Sequence, residues 1–312
     1  MNPAHVNVQS TWWASAWPVI QPYLPLFALV VAIIIPLSAS FLGAWTAQRI
    51  AERNRFRDDL TKEIRNTNAA LAVAFTVCNT GMALKRQHVQ RISKEFEESK
   101  TDFVEHMRKR ERGEIQGNTV YRFLVHLMTI NPPKLATESL RSMVLDRLSA
   151  VGRPLHLAVE INESADRLIV CLDGRNEVIA ELKASNSDGL GDDGSAQRFF
   201  GLKFGGGHQD LTFPHLLDGI TRSTDDVIFF AYLLCEDLRK HGNKLVEKYR
   251  ARFGGANAPH ITEMDFSPRL ADETIPSRDQ YKDWIDNFIE RPAPPSRWQR
   301  MLHPIASRRL GT

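Results

Sequence analysis

The sequence predicts an all-α protein in which a single N-terminal transmembrane helix precedes a long-helix, coiled-coil-like cytoplasmic bundle. Three observations carry this. The stretch Tyr23 to Trp45, "YLPLFALVVAIIIPLSASFLGAW", holds no Asp, Glu, Lys or Arg. Apolar residues then recur at alternating spacings of three and four from Ile64 to Phe103, the pattern of a helix lying along a partner. Lys and Arg are absent from Met1 to Gln48 and begin at Arg49, Arg53, Arg55 and Arg57, with Glu52 the one acid among them.

The apolar stretch has the length of a span. At about 1.5 Å per helical residue it covers the ~30 Å hydrocarbon layer. Trp12, Trp13, Trp17 and Tyr23 on one side and Trp45 on the other fit the aromatic belts of a bilayer, and Pro36 is a tolerated kink site in lipid. A cleaved secretory signal, cut near Ser38-Ala39-Ser40, is the rival, but the positive n-region is missing. A buried core helix is the third option. The charge asymmetry orients the chain with residues 1–22 outside as a short extracytoplasmic N-terminus, 23–45 spanning the plasma (inner) membrane, and the C-terminus in the cytoplasm.

Residues 46–112 read as one long juxtamembrane and core helix. Its seam is Ile64, Leu71, Phe75, Cys78, Met82, Val89, Ile92, Phe96 and Phe103, broken by Asn68, Lys85 and Ser99. Ala70, Val73, Ala74 and Val77 widen the stripe, which predicts cover from more than one side. The uncharged run Asn66 to Leu84 raises a second membrane span, but Asn66, Asn68, Thr76, Asn79 and Thr80 make lipid a poor solvent for it. Gly113 and Gly117 end the helix.

Residues 118–253 form the remainder of the bundle. Val120 to Ile130 has helical spacing and stops at Asn131-Pro132-Pro133, and Lys134 to Ala150 reads as another helix. Arg153 to Ala184 is ambiguous. Leu155, Leu157, Val159 and Ile161 alternate like a strand and Asp173-Gly174 suits a hairpin. The heptad series Leu157, Ile161, Ser164, Leu168, Cys171, Arg175, Val178 and Leu182 explains more residues, so a helix antiparallel to the first is expected. Residues 185–208 are a Gly/Asp-rich loop containing Phe199, Phe200 and Phe204. Ser223 and Asp226 resemble a capping box before Val227 to Cys235, and that stripe ends at Gly254-Gly255. Ser277 and Gln280 cap a short amphipathic helix, 277–290, with Tyr281, Trp284, Ile285, Phe288 and Ile289 on one face. Residues 291–312 are a basic tail carrying Arg291, Arg297, Arg300, Arg308 and Arg309.

The totals narrow the function. Forty Lys plus Arg against 37 Asp plus Glu leave a formal +3, too little for a dedicated nucleic-acid binder, and no nucleic-acid partner is expected. Cys78, Cys171 and Cys235 are dispersed in apolar runs, as reduced core thiols are. "GLGDDG", Gly189 to Gly194, matches a dinucleotide fingerprint formally, but Asp188, Asp192 and Asp193 repel a pyrophosphate. The same acids miss EF-hand spacing, since Leu190 falls where a ligand belongs. "FGGGH", Phe204 to His208, lacks the Lys and Ser/Thr of a P-loop. His88, His106, His126, His156 and His241 show no metal-ligand spacing. No catalytic, cofactor-binding or metal residue is assigned, and no cofactor is implied.

The expected role is therefore a membrane-anchored interaction, scaffold or signal-relay module. The lipid bilayer is its first partner. Ala28/Ala32 and Ala39/Gly43 suit close helix approach and hence a homo-oligomer. The basic tail, through Trp298 and Leu302, suits anionic lipid or an acidic protein, and Arg49 to Arg57 lies at headgroup level. The alternative is a membrane-tethered enzyme or toxin-like effector built around residues 185–210, with Asp192, Asp193, His208 and Asp210 as its polar groups. A third reading, solute passage through two spans, requires residues 66–84 in lipid.

Overall fold

The computed structural model describes residues 24–115, 128–185, 193–264 and 274–288, with Pro22 and Phe266. It is mostly helical. The elements are α1 (Leu24–Leu84), a π-helical turn (Lys85–Val89), α2 (Gln90–Glu111), α3 (Thr137–Arg147), α4 (Arg153–Ser185) and α5 (Asp193–Phe199). A two-stranded ribbon of β1 (Lys203–Phe204) and β2 (His208–Gln209), α6 (Thr212–Phe253), a 3-10 turn (Arg278–Tyr281) and α7 (Lys282–Asp286) follow. Contacts divide the chain into two units, Met1–Lys62 and Glu63–Thr312. The second unit, called the body below, begins at Glu63.

The first unit, among its described residues, is the N-terminal part of α1. Its large apolar side chains face outward: Leu26, Leu29, Ile33, Ile34, Leu37, Phe41, Leu42 and Trp45 are 47–73% exposed. Among the described residues one helix, Ser40–Glu111, is long and apolar enough to cross a membrane, with half of its most apolar window buried inside the protein. A core helix of a soluble protein meets the same length and composition.

The second unit is built on three long helical runs. Arg153 pairs with Asp237, Arg167 with Asp226, and Gly174 meets Leu216, so α4 and α6 are antiparallel. Cys78 donates to the Ile228 carbonyl, Lys85 reaches Asp225 and Ser93 bonds Thr221, so α6 is also antiparallel to the run from 63 to 111. The mate of the first seam is therefore α6. The expectation that α4 runs antiparallel to the first helix is corrected: both oppose α6 and so run parallel to each other. The return from the end of α2 is made by the connector that includes α3, whose far end meets the start of the body through Asn66 Nδ2 to the Arg147 carbonyl and the Ser149 amide to Glu63.

The seam is buried as its spacing requires. Ile64, Leu71, Cys78, Val89, Ile92, Phe96 and Phe103 are all buried, each large side chain contributing ~1.5–3 kcal/mol relative to exposure. Ala70, Ala74 and Val77 lie in one core with Leu157, Ile161, Ile228 and Leu234. Residues 66–84 thus pack against protein on two sides, as a core helix. The series on α4 holds as well. Even Ser164 and Arg175 are buried there, and the hairpin reading of 153–184 gives way to one helix whose first turn carries Pro154 behind Gly152 at φ +76°, both ordinary helix-start devices.

Several boundaries differ from expectation. Met128 to Ile130 are not helical; Asn176 of α4 holds both the Ile130 amide (3.0 Å) and its carbonyl (2.9 Å), tying this piece to α4. Most of the helix expected over 120–130 lies outside the described residues. The Ser223/Asp226 pattern starts nothing, because α6 already begins at Thr212. Asp210 binds the Thr212 amide at 2.9 Å and Pro214 sits in the first turn, which are the true start signals. Ser277 makes no side-chain cap, and the turn after it is 3-10. Within the expected loop, α5 and the ribbon are ordered elements.

Close helix approach relies on glycine. A Cβ on Gly219 would lie 2.7 Å from Cys171 Sγ, and one on Gly81 would lie 2.9 Å from Ile228 Cγ1. Gly219→Ala gains up to ~1 kcal/mol of helix propensity but meets the sulfur, an overpacking cost of ~1–3 kcal/mol. We expect Gly219→Ala to lower stability in urea unfolding. In a Cys171→Ala background, where the next contact is the Cys171 Cβ at 3.7 Å, the same change should be neutral or stabilising. Equal effects in both backgrounds would contradict the packing.

Candidate functional site

The 185–210 region is the sequence's best collection of polar groups, and its local fold shows what they do. Residues 186–192, including Asp188 and Asp192, lie outside the described residues, as does most of the "GLGDDG" stretch. Asp193 opens α5. That helix delivers Phe199 and Phe200 into the core, where Phe199 sits 4.2 Å from Phe213 between ring centroids and Phe200 stacks on Phe103 at 5.5 Å. Phe96 touches all three of Phe199, Phe200 and Phe213. Such pairs add ~0.5–1.5 kcal/mol each beyond area burial.

Of the groups named for catalysis, His208 and Asp210 have local partners beside this plug. The ribbon turns through Gly205, Gly206 and Gly207, all at positive φ (+45°, +84° and +102°), a run that side-chain-bearing residues resist. His208 is exposed and packs on Phe204, whose ring also carries Arg198 at 4.8 Å. Gln209 donates to the Gly201 carbonyl. Asp210 is held below the usual carboxylate range by the Thr212 amide it accepts. A carboxylate kept ionised by a helix start is a cap, and it leaves a general-base reading of Asp210 without support.

Serine, histidine and a carboxylate do meet at one place, Ser149, His241 and Glu63. Their order is wrong for a nucleophile. Both the Ser149 hydroxyl and His241 Nε2 (3.3 Å) address the same oxygen, Glu63 Oε1, so the carboxylate, not the imidazole, receives the hydroxyl proton. The cluster joins the start of the body to the α3–α4 connector and α6. His156 packs on Phe288 at 5.1 Å, and His126 lies outside the described residues. Among the described residues no three His, Cys, Asp or Glu side chains gather as a metal site.

The thiols are core groups. Cys78 and Cys235 are buried, and burial drives both well above the usual thiol range, Cys235 to about 12. Burial raises Cys171 too. Neutral thiols of this kind are poor nucleophiles and poor metal ligands. A cavity of about 60 Å³ lies beside Cys235, lined by Leu71, Tyr232, Glu236, Arg239, Met264 and Phe266, which is room for water and little else.

The structure draws attention elsewhere, to groups the sequence reading took as interruptions. Asn68 donates to the His260 carbonyl (2.9 Å) and accepts the Thr262 amide (3.0 Å). Lys85, at the π-helical turn, donates to the Thr274 carbonyl (3.0 Å) and stands 2.7 Å from Asp225 Oδ1 as an ion pair off the hydrogen-bonding direction. The polar breaks in the seam therefore fasten the segment that follows α6. Farther on, Tyr281 donates to Asp226 (2.7 Å) and stacks on Phe229 at 3.9 Å, Arg278 pairs with Glu236, and Trp284 packs on Phe230. The expected amphipathic face thus docks on α6; Ile289 lies outside the described residues. The signal was legible in principle: polar residues at seam positions call for a polar partner in the core.

Asp226 is the sensitive member of this contact. Burial raises its carboxyl above the usual range, while the Tyr281 hydroxyl and Arg167 pull the other way without prevailing. The folded state therefore binds this proton more tightly than the unfolded chain, and the group's contribution to stability improves as pH falls from neutrality through its folded pKa. Asp226→Asn keeps an acceptor for Tyr281 and removes the charge. It should be at least as stable as the parent at pH 7 in denaturant unfolding, with the gap closing on acidification; a gap that widens at low pH would contradict the assignment.

No protein-family model matches the chain, and no curated protein or solved structure matches it. What the protein does is therefore read from its own surfaces.

Proposed function

We propose that the chain is a single-pass membrane protein, N-terminus out, whose helical body serves in the cytoplasm as an interaction, scaffold or signal-relay module. The observation that carries this is the set of exposed apolar side chains Leu26, Leu29, Ile33, Leu37, Phe41 and Trp45, spread over several turns. Water tolerates few contiguous apolar patches of that extent, and a helix apolar all round belongs in lipid. The arginines that follow give the orientation by the positive-inside rule.

The relay reading draws on continuity. The helix α1 runs as a single element from Leu24 to Leu84, with the π-helical turn and α2 after it, so a shift or rotation imposed on its first turns has a covalent path into the body. Coiled-coil-like packing of the long helices and self-association through Ala28/Ala32 belong to the same proposal. The basic tail, 291–312, lies outside the described residues and remains the proposed contact for anionic lipid or an acidic partner.

Membrane fractionation tests the core of this reading. Full-length protein is expected in the high-speed pellet after an alkaline wash and in the supernatant only with detergent, whereas a chain lacking residues 24–45 should be soluble. Reporter fusions at Met1 and Thr312 should read outside and inside respectively. Recovery of the intact full-length product in the detergent-free supernatant would overturn the proposal.

A further inference from the structure

Resting on that membrane reading, we propose that the end of the apolar helix is a binding collar for anionic phospholipid headgroups, built from Trp45, Arg49 and Arg53. The Arg49 guanidinium lies over the Trp45 ring, 4.1 Å from its centroid. Trp45 is 47% exposed and Arg49 and Arg53 are exposed too, so this face of the helix is open to a ligand the size of a headgroup. Stacking on an indole holds a guanidinium in place while leaving its donor edge free to point outward.

Depth follows from helix geometry. With Trp45 at the hydrocarbon boundary, Arg49 stands about 6 Å and Arg53 about 12 Å farther along the axis. The headgroup layer is roughly 5–7 Å thick on each side, and an arginine stem reaches several ångströms back towards the boundary. Arg49 therefore falls within the layer and Arg53 at its outer edge. Spacing by four keeps Arg49, Arg53 and Arg57 within an arc of roughly 80°, and all three are exposed. Glu52, the acid in this stretch, accepts the Gln48 amide at 3.0 Å, and Asp58 and Asp59 come only beyond Arg57.

The chemistry selects the lipid. A phosphodiester offers two oxygens to a guanidinium fork. In a zwitterionic headgroup the terminal cation opposes the arginines, whereas in phosphatidylglycerol or phosphatidylserine the net charge adds to the attraction. The occupant is thus a net-anionic phospholipid of the inner leaflet, held at the helix exit by paired phosphate contacts.

The test uses the full-length chain and an Arg49→Gln/Arg53→Gln variant, both reconstituted in phosphatidylcholine vesicles doped with phosphatidylglycerol. Lipid retained through a mild delipidating wash is counted by mass spectrometry. At ~1 kcal/mol per basic residue near the surface, about fivefold each, the variant should lose roughly 25-fold in its preference for phosphatidylglycerol. Added salt should erode the preference of the parent. Equal retention of both lipids by the parent, or an undiminished preference in the variant, overturns the collar. Flotation with pure phosphatidylcholine vesicles separates the two ideas: both proteins float if the span is real, whatever becomes of the preference. If neither floats, the membrane reading fails and the collar with it.

Discussion

The body depends on how closely α6 can approach two helices at once. It runs antiparallel to α4 and to the residue 63–111 run, and it presents glycine, or meets glycine, along both: Gly219 against Cys171 and Gly174 against Leu216 on α4, Gly81 against Ile228 and Gly242 against Thr67 on the other, with Gly242 also meeting Ile261 of the segment after α6. Where the Cβ is missing, the neighbouring side chain enters the gap and gains dispersion contacts that a larger residue would turn into overlap. Two apolar clusters then form along the same three helices, one centred on Leu71, Leu157 and Ile228 and the other on Phe96, Phe200 and Leu217. The remaining elements close onto these clusters.

Most of the helical plan was legible because burial on a long helix leaves a periodic trace. The seam from Ile64 to Phe103 and the series on α4 each span several turns, so a single odd residue does not hide the period. The short pieces left no such trace. Nothing in "MTI" announces that Met128 to Ile130 are not helical, since the group that holds Ile130 is Asn176, 46 residues away. The start of α6 was misplaced because Ser223 and Asp226 have capping-box spacing, yet Ser223 is buried and Asp226 bonds Tyr281. Tertiary contact decided their roles. Pairing direction was misjudged for a related reason, since two heptad series show that each helix has a mate without naming it.

The candidate polar site in 185–210 was legible as a cluster, and its described members, His208 and Asp210, have local structural partners. Loops that must return the chain between antiparallel helices need turn residues and caps, and Gly, Asp and His supply them in the same composition an active site would use. The aromatic residues were the better guide. Phe199 and Phe200 have no reason to sit in a solvated loop, and both are buried against Phe96. Among the described residues, Phe199 and Phe200 cover the second cluster, and Gln209 and Asp210 bond the backbone beside them.

The polar residues in the first seam carry a further consequence for any relay. Asn68 and Lys85 are held by carbonyl and amide groups of the segment after α6, through bonds that require each side chain at a particular rotation of the helix. A turn of that helix by one residue, about 100°, would withdraw both, breaking the part-buried bond to the Thr274 carbonyl and the exposed bonds to His260 and Thr262. Apolar seams tolerate small sliding; these fasteners do not. Under the proposed relay, a signal entering along α1 would have to move helix, α6 and fastened segment together, or detach the segment first. The first route keeps the body rigid and shifts it as one piece, and the second exposes the face of α6 under Tyr281 and Trp284, where Phe229 and Phe230 are at present covered.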